Sequence, residues 1–433
     1  MATTKATPPN SKLVHIVFHV PEGLEFVAKN EVNSKLAPKL QEQQQSTITT
    51  TIVADPNTGR VHLICSIDLS ALVTMIKSIH LLSVRDIVLV ASMVVLPEEI
   101  FEDREKTCQI IADTATATDF DPYVTSLQYG PTTDENNDNT AATTKTTFRG
   151  TFYKEELTHS IKTPELASWI GFGFGTQYPD YKVNLEQFNY EAVGLWTRTA
   201  NHSLLDLIAV VPQNQHDGGD YEHEKKKMKK NPPILLMVGV TIKTNVVKNR
   251  NRQFFGKTSL NPCIAYCLAQ VANPSPGQVV LDMCCGTGTI PIEGASCYPD
   301  AIWIGSEVHE TTLCEKARGN VLHSGVQNTE LMLGDGRCLC LRDDSVDIIL
   351  TDWPWGLREG SFLAIQRLYP RFMKQISRVL RSKGKAYIVT QGHKLLNRVL
   401  DYPWCAATWD INEIKPIAIG GHKVSLYILT KKL

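Results

Sequence analysis

The tetrapeptide Asp352-Trp353-Pro354-Trp355 closes the apolar run Ile348-Ile349-Leu350-Thr351. A carboxylate, a proline and a flat aromatic at the end of a buried strand suit one chemistry: presenting the exocyclic amine of a nucleobase for alkylation. Such an amine is a poor nucleophile because its lone pair is delocalised into the ring. Hydrogen bonds from its two N–H groups to Asp352 and to a backbone carbonyl draw the nitrogen toward tetrahedral geometry and free that lone pair. Pro354 has no N–H and a fixed φ, so it holds the turn that aims the carbonyls. Trp355 offers a face on which an extruded base stacks. The bland reading, a turn with a core Trp, leaves the chain's second motif unexplained.

That second motif runs from Val279 to Ile290, where an apolar strand enters the loop Asp282-Met283-Cys284-Cys285-Gly286-Thr287-Gly288 and a helix follows. Gly286 and Gly288 let a ligand lie on the backbone, with Cys284 and Thr287 beside it. A dinucleotide site calls for Gly or Ala three residues after Gly288, where Pro291 stands, and a P-loop calls for a Gly-Lys-Ser/Thr that is absent. Asp282 repels phosphates but pairs with a cationic, amino-acid-like group. S-adenosylmethionine has such a group, and it has ribose hydroxyls. Glu307, 19 residues after Gly288, ends the next strand and is placed to accept both hydroxyls. Asp335 ends a third strand and is placed to accept from the adenine amine, with Gly336 leaving room for the ring. One such acid reads as a turn former. Three at successive strand ends, the first joined to Gly-x-Gly, read as a cofactor site. The methyl of a sulfonium is already activated, so the protein has mainly to align nitrogen, methyl and sulfur.

These residues need a scaffold, and from Gln278 onward strands and helices alternate. Strands are expected at 279–281, 301–306, 330–333, 346–351 and 385–390, and helices at 290–297, 311–324, 367–380 and 393–400. A hairpin at 409–429 ends the chain. This is an α/β, Rossmann-like pattern: a mostly parallel seven-stranded sheet with an antiparallel terminal hairpin. The half before it reads as α+β, with strands at 13–20, 60–66, 86–95, 148–153, 203–211 and 234–242. Thr114–Thr147 is rich in Thr, Asp and Asn and reads as a mobile insertion, as does the polar stretch 213–233 with its Lys225–Lys230 run.

The chain has 433 residues, enough for two or three domains, and a net charge of −1, so it is no general polyanion binder. The charge is uneven. Residues 250–433 carry 21 Lys and Arg against 16 Asp and Glu, while 97–138 carry 11 acids and two bases. No apolar run reaches the roughly 18 residues of a membrane span, and the polar start does not read as a leader. Eleven Cys without a Cys-x-x-Cys pair fit a reducing compartment and no metal site. The cytoplasm is expected, and the nucleus too if the lysine run is an address.

At Asp352–Trp355 and Asp282–Gly288 the sequence resembles class I methyltransferases that act on amines. Gln253-Phe254-Phe255-Gly256-Lys257-Thr258-Ser259-Leu260-Asn261-Pro262, Gly294-Ala295, Leu368-Tyr369-Pro370 and Gly420-Gly421-His422 sharpen this to THUMP-domain RNA guanosine-N2-methyltransferases. The resemblance covers 250–433 well and 1–249 in outline. It implies a fused THUMP module, tRNA or another small structured RNA as substrate, Phe255, Lys257 and Thr258 beside that substrate, and a small zinc-binding activator subunit. Domains are then expected at 1–59 (a small α+β subdomain), 60–245 (THUMP) and 250–433 (methyltransferase). Here Met283 follows Asp282 where the family has Pro, and Trp355 stands where it has Phe or Tyr. Two other readings keep the same residues: transfer to adenine N6, cytosine N4 or a protein amide, and an RNA-binding subunit with a vestigial cofactor fold.

Overall fold

The computed structural model describes residues 13–42, 49–129, 145–154, 161–199, 204, 233–244, 250–356 and 362–433. They fall into two units. The first takes in the chain to His19, Val32–His80 and Asp86–Asn245; the second takes in Val20–Glu31, Leu81–Arg85 and Val246–Leu433.

The first unit is built on one eight-stranded sheet: β1 (Val14–His19), β2 (Thr50–Asp55), β3 (Arg60–Cys65), β4 (Asp86–Leu96), β5 (Thr147–Tyr153), β6 (Lys182–Val183), β7 (Tyr190–Arg198) and β8 (Ile234–Thr241). Their order is β2-β3-β1-β4-β8-β7-β5-β6. With α1 (Glu25–Glu42) after β1 and α2 (Leu69–Ser78) after β3, the first four strands make a β-α-β-β-α-β motif of ferredoxin-like order. The boundary expected at residues 59 and 60 therefore falls in the turn of a hairpin, where Asp55 pairs with Arg60. The first motif closes instead at Leu96. Val17, Val88, Val90, Val193, Leu195, Leu235 and Met237 form a core on this sheet.

The Thr-rich stretch is a second departure. α3 (Arg104–Ala117) and α4 (Asp121–Leu127) occupy the start of the expected insertion. Asp103 caps α3 by accepting from the Glu105 and Lys106 amides. The hydroxyls of Thr114 and Thr118 bond back to the carbonyls of Ile110 and Thr114, which removes their need for water. Ile111, Ala115, Phe120 and Leu127 are buried. Gly173 on α5 (Thr163–Gln177) faces Ala115 so closely that a Cβ there would come within 2.4 Å of it. Residues 130–144 and 205–232, with the Lys225–Lys230 run and most of the strand expected at 203–211, lie outside the described residues.

The second unit carries β9 (Val279–Asp282), β10 (Ile302–Glu307), β11 (Thr329–Leu333), β12 (Val346–Asp352), β13 (Leu380–Thr390), β14 (Trp409–Ile419) and β15 (His422–Lys431), ordered β11-β10-β9-β12-β13-β15-β14. The first five run parallel; β15 is antiparallel to β13 and to β14. This is the expected sheet with its terminal hairpin. Alternate residues of β9 point to opposite faces. Val280 packs with α6 (Pro262–Ala272) and α7 (Thr289–Cys297). Leu281 packs with α9 (Phe362–Val379) and α10 (His393–Leu400). In sequence, α8 (Arg318–Ser324) follows β10 and continues a π-type turn; α11 (Pro403–Thr408) precedes the hairpin. Gly294 lets α7 lie directly on β10, since a Cβ there would meet the Trp303 ring at 2.2 Å.

Two short segments from earlier in the chain complete this unit. Leu24 and Val27 join the core of α6 and β9. The Glu31 carboxylate accepts from the Leu82 and Ser83 amides, both at 2.8 Å. The expected 250–433 domain is therefore incomplete without residues 20–31 and 81–85.

Candidate active site

The chain leaves β9 for α7 on one face of the sheet and leaves β12 for α9 on the other. Strand order reverses between these neighbours, which opens a crevice at their carboxyl ends. Asp282 is the last residue of β9, Glu307 of β10 and Asp352 of β12.

Asp282 is 2% exposed. Its Oδ1 accepts from Thr351 Oγ1 at 2.8 Å and from the Cys284 amide at 3.1 Å. Burial pushes its carboxyl up to about 7 against those two bonds, and the charges of Asp352 and Glu307 push the same way. Three carboxylates thus converge on one crevice. Glu307 is held by the Gly286 amide at 3.1 Å and the His309 amide at 2.9 Å. Gly286 and Gly288 both have positive φ, and a Cβ at Gly286 would meet nothing within 4 Å. The turn thus presents open backbone on its ligand side. Cys284 is half-buried and Thr287 buried within it.

The segment before α6 lies along this turn. Asn320, fully buried on α8, accepts from the Gln253 and Phe254 amides and donates to the carbonyls of Phe254 and Thr287. Ser259 Oγ sits 3.1 Å from Thr287 Oγ1 and accepts from the Gly256 amide. Phe255, Lys257 and Thr258 are exposed on that segment, with the Arg252 guanidinium 5.0 Å from the Phe255 ring centre. Arg250 anchors its start in a buried ion pair with Glu293 of α7, at 2.8 Å.

Asp352 accepts from the indole N–H of Trp355 at 2.9 Å. Trp355 is half-buried against the core and meets His422 edge-on at 5.8 Å. Its ring therefore orients the carboxylate as well as offering a face. The Pro354 carbonyl accepts from Tyr369 Oη at 3.0 Å, and the same phenol lies 2.6 Å from Thr390 Oγ1. Trp353 is buried edge-on against Tyr369 and Phe372.

Two expectations need correction. β11 ends at Leu333, so Asp335 lies in the turn beyond it, where it binds Arg337 through both carboxylate oxygens. That guanidinium holds the Asp335 carboxyl below its ordinary range. Gly336 does not leave room for a ring. A Cβ there would meet Phe372 at 2.8 Å and Met283 at 2.9 Å, so the space is filled by the protein itself. Sequence reading also missed Thr351, Asn320, Tyr369 and His422 as site residues. Thr351 carried a positional signal one residue before Asp352, and Tyr369 and His422 lay in segments that carry the family resemblance without an assigned role; Asn320, on a separate helix, carried none. Among the described residues no cluster of His, Cys, Asp and Glu is arranged to hold a metal, and no helix is long and apolar enough to cross a membrane.

Comparison with known proteins agrees with this geometry. Residues 249–410 match the UPF0020 family, described as an RMKL-like methyltransferase domain. Human tRNA (guanine(6)-N(2))-methyltransferase THUMP3 is 30% identical over 210 residues, covering 45% of this chain and 41% of that protein. Bovine U6 snRNA (guanine-N(2))-methyltransferase THUMPD2 is 32% identical over 134 residues, covering 31% of this chain and 26% of that protein. The chain thus spans well under half the length of these curated relatives. The crystal structure of TrmN from Thermus thermophilus superposes with a TM-score of 0.62 at 20% identity, covering 96% of this chain and 99% of that one. Residues 249–410 are thus similar to the UPF0020, RMKL-like methyltransferase domains, and the chain shares the fold of TrmN.

Proposed function

We propose that this protein is an S-adenosylmethionine-dependent RNA methyltransferase that forms N2-methylguanosine in tRNA or another small structured RNA. One observation carries the reading: Asp352 stands at the end of β12, across the switch point from Asp282 and the open Gly286 turn. Asp282 and the Cys284–Gly288 backbone would hold the methionine part, and Glu307 the ribose. The cofactor supplies an electrophilic methyl on sulfonium sulfur. Asp352 accepts an N–H of the guanine amine, Trp355 fixes that carboxylate and flanks the base, and the Pro354 turn keeps both in place. No separate strong base is needed, because a methylated ammonium loses its proton readily. Asp335 would reach the adenine amine only by sharing its carboxylate with Arg337.

The test is methyl transfer from labelled S-adenosylmethionine to RNA, followed by nucleoside mass spectrometry. Asp352→Ala should bind cofactor normally and lose transfer; undiminished turnover would refute the assignment. Methyl on adenine or cytosine would move the acceptor, and no heat on cofactor titration would favour a vestigial fold. The THUMP resemblance adds a small zinc-binding activator, to be sought by co-purification, and a cytoplasmic and nuclear distribution, to be read by fractionation.

A further inference from the structure

We propose that the exposed face of α9 is a track for the RNA phosphate backbone leading into the site, an inference that rests on the RNA methyltransferase reading. α9 carries Arg367, Arg371, Lys374 and Arg378 and no acid. Their spacing of four, three and four residues puts all four on one side of the helix, over about 16 Å at 1.5 Å per residue. The opposite side is the buried stripe Ile365, Tyr369, Phe372, Met373 and Ile376. The basic side therefore faces water because the fold demands it.

Three observations make this a surface for a polyanion rather than an ordinary solvated face. First, Arg367, Arg371 and Lys374 are exposed and, among the described residues, have no carboxylate in ion-pairing reach; Arg378, at the far end, is taken by Asp343 at 2.8 Å. Second, α10 packs beside α9 and adds exposed Lys394 and Arg398, again with no acid on the helix. Third, both helices begin at the carboxyl edge of the sheet. Tyr369, between the basic residues, bonds the Pro354 carbonyl of the Asp352 turn. Arg371 adds a minor, longer-range attraction to Asp335, whose ion pair is with Arg337. The track thus starts at the crevice where a base must be delivered. A sugar–phosphate strand fits such a row, since each exposed cation neutralises one phosphate and releases its counterion.

The experiment compares the full-length wild type with Arg367→Gln/Arg371→Gln/Lys374→Gln and with a control, Lys383→Gln/Lys385→Gln, at the opposite edge of the sheet where β13 begins. The probe is an unmodified tRNA made by in vitro transcription, bound at several salt concentrations. Losing three phosphate contacts should weaken binding on the order of 100-fold at about 0.15 M salt and flatten the log–log salt slope by roughly 2–3. Cofactor affinity and melting temperature should match wild type, and the control should match in every measurement. Wild-type RNA binding with an unchanged triple variant, or an equal loss in the control, overturns the track. Absence of RNA binding and of methyl transfer in the wild type would instead overturn the reading on which it rests.

Discussion

Asp282 makes the cofactor site sensitive to pH in a calculable way. An aspartate ordinarily near 3.8 is held at about 7 by burial, with Asp352 and Glu307 adding to the effect. The folded protein therefore binds this proton more tightly than the unfolded chain. The resulting stability is fully present below about pH 3.8 and is lost as pH rises through about 7. A shift of roughly three units corresponds to about 4 kcal/mol at the alkaline limit. Asp282→Asn mimics the protonated state and keeps an oxygen for Thr351 and the Cys284 amide. Urea midpoints at pH 5 and pH 8 should therefore fall more across that interval in wild type than in the variant. A cationic ligand opposes this, because it favours the ionised carboxylate. S-adenosylmethionine affinity should rise about tenfold per unit up to pH 7 and level off above it, until the ligand's own amino group begins to titrate near 8. Calorimetric titration from pH 5.5 to 8 measures the slope. Identical slopes in wild type and Asp282→Asn would refute the coupling of this carboxyl to both folding and cofactor.

Three further expectations follow from single contacts. Tyr369, whose phenol burial pushes up to about 12, remains a donor to Pro354 at all working pH. Tyr369→Phe keeps the ring on Trp353 but releases the turn, so kcat should fall about tenfold to a hundredfold with cofactor affinity unchanged, as stopped turnover and titration would show. Arg250→Ala leaves Glu293 buried without its cation and should cost about 3–5 kcal/mol in urea unfolding, most of it recovered in Arg250→Met/Glu293→Leu. In the other unit, His15 and His62 share a buried hydrogen bond of 3.0 Å, and burial lowers His15 to about 4. The stability from a neutral His15 is full above pH 6.5 and lost as pH falls toward 4, about 3 kcal/mol in all, and His15→Phe should remove that share of the acid sensitivity.

What could be read from sequence was what depends on near neighbours. Val279–Asp282 and Asp347–Asp352 show their strands because a sheet buried on both faces demands continuous apolar runs, and Gly286 and Gly288 show the turn because only there is positive φ inexpensive. The three carboxylates of the crevice could be placed at strand ends for the same reason. Their convergence could not, because it depends on β12 lying beside β9 with 63 residues between their ends, Asp282 and Val346. Gly336 failed for a related reason: a glycine signals a close approach but not which atoms make it, and Phe372 filled the space assigned to a ligand. Composition misled at Thr114–Leu127, where threonines usually solvated in loops bond back along a helix instead.

Trp355 shows how far residue type alone can carry an assignment. As an aromatic after Pro354 it reads as a stacking platform, and under the proposed function its face would serve that end. The indole differs from Phe in carrying a donor, and the structure spends that donor on Asp352. An indole N–H shielded from water seeks a partner, so in the proposed reaction the larger ring would couple base contact to carboxylate orientation in one side chain. Trp355→Phe separates the two. If stacking alone matters, the variant turns over as wild type. If the N–H sets the carboxylate, kcat falls at unchanged KM for RNA, while Trp355→Leu raises KM as well. Steady-state kinetics on one RNA substrate decides between them, and a Phe variant indistinguishable from wild type would remove the orienting role.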